Sequence, residues 1–299
     1  DQNGRSPYAG VLTFQTSSNA TVTTGNAFAD ALLGNFYNYN EAQLDPMGYF
    51  RFWQREAFVS DAWRVSQHLS IEAGLRYTWQ MPTSTLGNNT TSFDPALYNP
   101  AQAVTLNTNG TIVAGSGNRY NGLARPGEVP SDQTANVPNA NNPLVQAIPF
   151  ATNAGYYKTA NLFAPRVSFA WTPLGNNRTV VRGGAGLFYD RPEGNLYFSL
   201  VNNAPFSLSS SYQSGNLGNI QAGTVPPITP WASTDSLSPD LAIPRVWNYS
   251  VGVQRELPWW GLFAEVSYVG ATGQNQIRQP DINYPTFADL SANAVGLPQ

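Results

Sequence analysis

The side chains able to do chemistry are few and scattered. His68 is the single histidine among 299 residues, and there is no cysteine. A Ser-His-Asp triad would have to recruit His68, and the chain has no GxSxG elbow to present a serine. Composition excludes zinc held by cysteines or by a histidine cluster. His68 therefore reads as an ordinary turn residue. Gly183-Gly184-Ala185-Gly186 has the glycine content of a phosphate cradle but not the Gly-Lys-Ser/Thr ending of one. Glycine there is expected to relieve crowding against lumen aromatics or a plug. Asp94, Asp235 and Asp240 are isolated acids, without the spaced oxygen ligands of a calcium loop. No catalytic, cofactor-binding or metal-ligating set emerges. The expectation is a protein that is not an enzyme and needs no cofactor.

The charges that do follow a rule are Glu72, Arg76, Arg166, Arg178, Arg182 and Glu265. Each sits at the polar parity of an alternating stretch. In Leu69 to Met81, the odd positions are Leu69, Ile71, Ala73, Leu75, Tyr77 and Trp79; the even ones are Ser70, Glu72, Gly74, Arg76, Thr78 and Gln80. Side chains of a strand alternate between faces, so this is a long amphipathic β-strand. The pattern recurs in Phe163 to Trp171, Arg178 to Tyr189, Trp247 to Gln254 and Leu262 to Tyr268. The six charges would then line a lumen, as a ladder that tunes a channel or grips a plug, or as mutual ion pairs without a transport role.

Only 11% of the chain is charged, against about 25% in an average soluble domain. Aromatics make up 13%, and there are 26 Gly and 23 Pro. No window approaches 18 consecutive apolar residues, which excludes a transmembrane helix. A net charge of −3 excludes a general nucleic-acid footprint. The opening DQNGRSPYAG has neither a basic n-region nor an apolar h-region, so no signal peptide is expected in this stretch, and the closing VGLPQ has no terminal strand.

Between the strands, connections alternate short and long: 64–68, 82–161, 173–177, 190–244 and 257–261. Outer-membrane barrels have short periplasmic turns and long extracellular loops. Aromatics gather at strand ends. Tyr77, Trp79, Tyr189, Trp247 and Tyr268 fall toward the long connections; Trp63, Trp171, Trp259 and Trp260 fall toward the short ones. Two such girdles suit the two interfaces of a membrane. The fold class is therefore all-β: an antiparallel up-and-down transmembrane-type barrel, or part of one, with the apolar parity facing lipid. Residues 1–299 read as a single domain of this type.

The remaining stretches are less regular. GVLTFQTSS and Asn35 to Gln43 are short strand candidates, GNAFADALLG one helical turn, and Asp45-Pro46 a break. Gly48 to Trp63 reads as a strand of mixed parity, which implies a bulge or a protruding upper half. A further strand is expected near Leu196 to Val201.

Several of these stretches resemble one family. SDAWRVSQHLSIEAGLRYTWQ resembles the "QDDWRV…LTLNLGLRYE" segment of Oar-like TonB-dependent receptors, which carry a carboxypeptidase-regulatory-like domain. FAPRVSFAWTPLGNNRTVVRGGAGLFYDRPEGN is similar to that family's "PRVGFAWDPFGDGKTVVRGGYGIFYDR", and PRVWNYSVGVQRELPWWGLFAEVSYVGATG to its "QWNLSVQRELPGNTVLEVAYVGSRG". GNAFADALLG matches its "FADFLLG". Ser60 replaces the first Asp of the first motif. The resemblance spans roughly residues 10–95, 160–205 and 243–285. It implies the middle of a bacterial outer-membrane barrel coupled to TonB-driven uptake and gated by a plug that this stretch does not include. An alternative stands beside it: a structural surface protein that self-assembles into an oligomer, tube or filament through open sheet edges, since such edges are not viable within lipid.

Overall fold

The structure, a computed structural model, describes residues 9–18, 20–42, 47–153, 155–175, 178–231, 234–259 and 261–283. Its strands, in chain order, begin with β1 (Val11–Thr13), β2 (Asn35–Ala42), β3 (Phe50–Arg51), β4 (Gln54–Ser66) and β5 (Leu69–Gln80). Short pieces follow: β6 (Ser84–Thr85), β7 (Ser92–Phe93) and β8 (Leu123–Ala124). Then come β9 (Ala160–Trp171), β10 (Thr179–Tyr189), β11 (Ser209–Asn216), β12 (Arg245–Glu256) and β13 (Phe263–Gln274). The helices are α1 (Ala27–Leu33), α2 (Pro143–Ala147) and α3 (Asn195–Phe198). Among the described residues no helix is long and apolar enough to cross a membrane.

Six long strands pair in the order β13-β12-β10-β9-β5-β4. Each is 11 to 13 residues long, well beyond the 5 to 6 typical of soluble strands. Neighbours in this sheet are also successive long strands in sequence, which makes an up-and-down meander. The sheet is not closed: β4 and β13 are its edges. A separate three-stranded sheet has the order β1-β2-β11.

The chain divides into two compact units. One comprises residues 1–62, 72–165 and 193–242; the other comprises 63–71, 166–192 and 243–299. The second unit holds most of the meander. There the register is continuous: Val167, Phe169 and Trp171 of β9 face Ala185, Gly183 and Val181 of β10. Leu187, Ala185, Gly183 and Val181 in turn face Trp247, Tyr249, Val251 and Val253 of β12. A shift of one residue in any pair would put apolar and polar parities on the same face, and no such shift occurs.

Glycine is required where rings lie across a neighbouring strand. A Cβ at Gly183 would sit 2.7 Å from Phe169 Cε1 and 3.1 Å from the Ser250 carbonyl. Gly183→Ala is therefore expected to cost about 1 to 3 kcal/mol by overpacking, and adding Phe169→Leu should return part of it. Urea unfolding in detergent of the two variants would settle the matter; a Gly183→Ala variant as stable as the parent would refute the ring-over-glycine account.

The first unit contains the long connections. They are not bare loops. Val137, Ala140, Val145 and Phe206 form a small apolar core with Val129 packed against it. Because 137–145 and 206 come from different connections, the two segments fold into one body.

Several expectations shift. Leu196 to Val201 is helical: α3 is followed by a 3-10 turn over Ser199–Asn202. Tyr197, Leu200 and Val201 are the buried residues there, an i, i+3, i+4 set that suits a helix and not a strand. GNAFADALLG forms seven helical residues, about two turns. Gly48 to Trp63 is interrupted at Phe52 and Trp53, so the mixed parity reflects two strands, β3 and β4. The break at Asp45-Pro46 lies outside the described residues.

Candidate functional site: a two-faced sheet and its loop body

The apolar parity of the meander is open to the surroundings. Val167, Phe169 and Trp171 of β9, Trp247, Tyr249, Val251 and Val253 of β12, and Val266 and Tyr268 of β13 are all exposed. They share one face by register. An exposed apolar surface of this extent is abnormal for a protein facing water alone.

Trp171 ends β9 and Tyr189 ends β10. Trp247 is the third residue of β12, Trp79 is the penultimate residue of β5, and Trp63 lies three residues before the end of β4. Trp259 is in the 257–262 turn. Tyr77 donates to Asn161 Oδ1 at 2.7 Å and lies 5.2 Å from the Phe163 ring. Arg55 lies over the Trp79 ring at 5.3 Å. Tyr268 is a correction: β13 continues to Gln274, so Tyr268 is mid-strand, opposite Val251 and beside the Tyr249 ring. Trp260 lies outside the described residues. Phe52, which sequence reading places within one mixed-parity strand, and Trp53, which it passes over, are both exposed at the β3–β4 break.

On the other face, Arg166 pairs in register with Gly186, and its guanidinium lies 4.7 Å from the Phe188 ring. Arg182 faces Ala170 and Gly252. Glu265 faces Gln254. Arg76 binds Glu56 at 2.7 Å and lies over Phe58; both partners are partly exposed, so the pair contributes little to stability. Glu72 is an exposed residue of β5. Arg178 precedes β10, in the turn, where its carbonyl accepts from the Glu256 amide. The polar rule weakens along β13, where Val269 and Ala271 occupy the polar parity beyond Ser267. His68 belongs to a turn: its carbonyl accepts from the Thr172 amide and its Nδ1 lies 3.2 Å from Thr172 Oγ1. Among the described residues no three His, Asp or Glu side chains gather as metal ligands.

Polar hubs fix the loop body. Arg125 is 2% exposed. Its guanidinium donates to Ile148 O, Gly127 O, Gln146 Oε1 and both oxygens of Glu128, and lies over Phe150. Asn203, also buried, donates to Thr91 O at 2.6 Å and Asp235 O at 2.8 Å and accepts from the Asp235 amide. The Leu237 amide donates to Ser92 Oγ, and Thr91 Oγ1 to Ala204 O. Tyr156 donates to Thr90 O, and burial pushes its hydroxyl pKa up. Tyr197 donates to Tyr157. A small cleft in this body is lined by Phe50, Thr83, Pro126, Tyr156 and Leu200.

Asp30 of α1 is another buried polar group, 2% exposed. Burial alone would raise its pKa. Hydrogen bonds from Thr23 Oγ1 (2.7 Å), the Thr24 amide (2.6 Å) and Asn35 Nδ2 outweigh burial and hold it below the ordinary carboxylate value. A depressed folded pKa contributes stability above the unfolded pKa and loses it as pH falls through the folded one. Hydrogen-exchange protection of the Thr24 amide should therefore be full at neutral pH and decline below roughly pH 4, and Asp30→Asn should flatten that dependence. Unchanged protection in acid would contradict this.

Long antiparallel strands in sequence order, one exposed apolar face and short and long connections at opposite strand ends together define an outer-membrane barrel type of protein. The chain belongs to the outer membrane beta barrel domain family, whose model matches residues 1–298. It is a protein of the bacterial outer membrane. No curated protein and no solved structure matches it.

Proposed function

We propose that the chain is part of the barrel of a TonB-dependent, Oar-like receptor that takes up a solute across the outer membrane. The single observation that carries the reading is the unbroken register from β9 to β13, which keeps the apolar parity on one face. On this reading that face meets lipid. The opposite face, with Arg166, Arg182 and Glu265, lines the lumen. Its small residues, Gly184, Gly186 and Gly252, leave room for a plug supplied elsewhere in the receptor. The joined loop body meets the ligand, because surface loops on a rigid scaffold are the usual recognition elements. The resemblance, over roughly residues 10–95, 160–205 and 243–285, adds the expectation of TonB coupling.

The test compares a bacterium lacking the intact protein with its parent, each with and without a protonophore, by following depletion of medium solutes. A solute whose uptake requires both the protein and the proton gradient supports the proposal. No difference between the strains overturns it.

A second reading is favoured by the open edges: every residue of β4 is exposed. Self-assembly through β4 and β13 would cover them. Native mass measurement of the intact protein in detergent separates the two readings, since a monomer excludes assembly.

A further inference from the structure

Helix α1 is turned inside out. Amphipathic helices on a protein surface bury an apolar stripe and expose polar groups. Here the buried residue of the helix is Asp30, and Phe28, Leu32 and Leu33 are 86%, 89% and 62% exposed. Phe28, Ala31 and Leu32 follow the i, i+3, i+4 spacing of a single stripe, and all three are exposed. The helix is fastened to its unit by polar bonds. Thr23, Thr24 and Asn35 hold the Asp30 carboxylate. Asn26 caps the first turn by accepting from the Phe28 and Ala29 amides. Gly34 closes the last turn at φ 75°, its amide donating to Ala31 O and Asp30 O.

We propose that α1 is an interfacial anchor whose outward stripe, Phe28, Leu32 and Leu33, inserts into the lipid surface of the outer membrane. Charge selects lipid over a protein partner. From Ser6 to Asn40 the sequence holds one charged side chain, Asp30, and it is the one turned inward. A protein docking patch carries a polar rim around its apolar centre. The outward positions of α1 offer alanine, leucine and phenylalanine only, and the one polar cap, Asn26, is occupied by the helix's own amides. Seven residues are far too few to cross the hydrocarbon layer, but an apolar stripe lying in the interface plane needs no such length. Family membership places the protein in that membrane. The inference does not depend on transport.

These 299 residues contain no cysteine, so nitroxide labels can be placed singly at Phe28→Cys and Leu32→Cys in the intact protein, any cysteine elsewhere in it being replaced by serine, reconstituted in phospholipid bilayers. Collision rates with molecular oxygen and with a water-soluble nickel chelate are then compared with those at exposed loop residue Asn109→Cys and at Val167→Cys on the apolar face of β9. The proposal expects oxygen access and nickel exclusion at 28 and 32, with nickel access at 109. Nickel access at 28 and 32 places the helix in water and overturns it. Low rates with both reagents mean that protein covers the stripe, and overturn it equally. Lipid-like rates at Val167 alongside either failure leave the lipid-facing sheet standing; water-like rates at Val167 would remove that reading as well.

Discussion

An arginine at Val251 is expected to prevent much of the protein from assembling in the outer membrane. Val251 is the seventh of twelve residues in β12 and faces Gly183 on one side and Tyr268 on the other. If that face meets hydrocarbon, a charged side chain there costs about 2 to 4 kcal/mol, the penalty for Arg near the midplane of a barrel. That is a large share of a stability that totals roughly 5 to 15 kcal/mol. The neighbouring Ser250→Arg puts the same charge on the opposite face, among Gly184, Gly252 and Val269. It should be tolerated much better. Comparing the heat-modifiable folded band of the two variants in isolated outer membranes reads the difference directly. Equal losses would mean that the two faces of β12 meet the same solvent, and the membrane orientation of the sheet would fall.

Replacing Asn203 should loosen the loop body while leaving the meander folded. Its side chain satisfies the Thr91 and Asp235 carbonyls and the Asp235 amide in a buried setting. Removing it leaves these groups without that partner, at about 1 to 3 kcal/mol for each buried group left unsatisfied. Asn203→Ala is thus expected to cost several kcal/mol locally. Asn203→Asp should do no better, because it keeps the acceptor but turns a carboxylate toward two carbonyl oxygens. The reporter is the Leu237 amide, which donates to Ser92 Oγ and so bridges the same two segments. Its hydrogen exchange should accelerate strongly in both variants, and protease should cut within 82–159 and 190–244. Unchanged Leu237 protection would show that the apolar core around Phe206 suffices to hold the segments together.

The meander was legible because strand pairing has a period of two and the chain obeys it over long runs. Val167 to Trp171, Val181 to Leu187 and Trp247 to Val253 each sort cleanly by parity, and their registers agree. The loop body was not legible, for three physical reasons. A short apolar run such as Leu196 to Val201 suits strand and helix alike, and only tertiary burial of Tyr197, Leu200 and Val201 decides between them. Strand β11, SSSYQSGN, has no apolar alternation; it is held by backbone pairing to β2 and by contacts such as Ser211 Oγ to Asn38 Oδ1. Hubs such as Arg125 and Asn203 look like ordinary loop residues, because many of their partners are backbone groups that no side-chain pattern announces. Tyr268 was misplaced for a related reason: the glycines of VGATGQ hide the second half of β13, which pairing to β12 alone sustains.

The three-stranded sheet has a consequence in time. Its β2–β11 ladder joins Asn35–Ala42 to Ser209–Asn216, with residues as far as 181 positions apart in contact, whereas β12 and β13 are separated by only six residues. Closing a long loop demands more entropy before any contact repays it, and non-local pairing is slow. The β12–β13 hairpin can therefore zip early, while β2 must wait for most of the described chain to be placed before its partner arrives. Late in folding, Asn35 to Ala42 will still be a strand with its β11 side open, and that is when a misplaced copy of Ser209–Asn216 from a neighbouring chain can take the place of the right one.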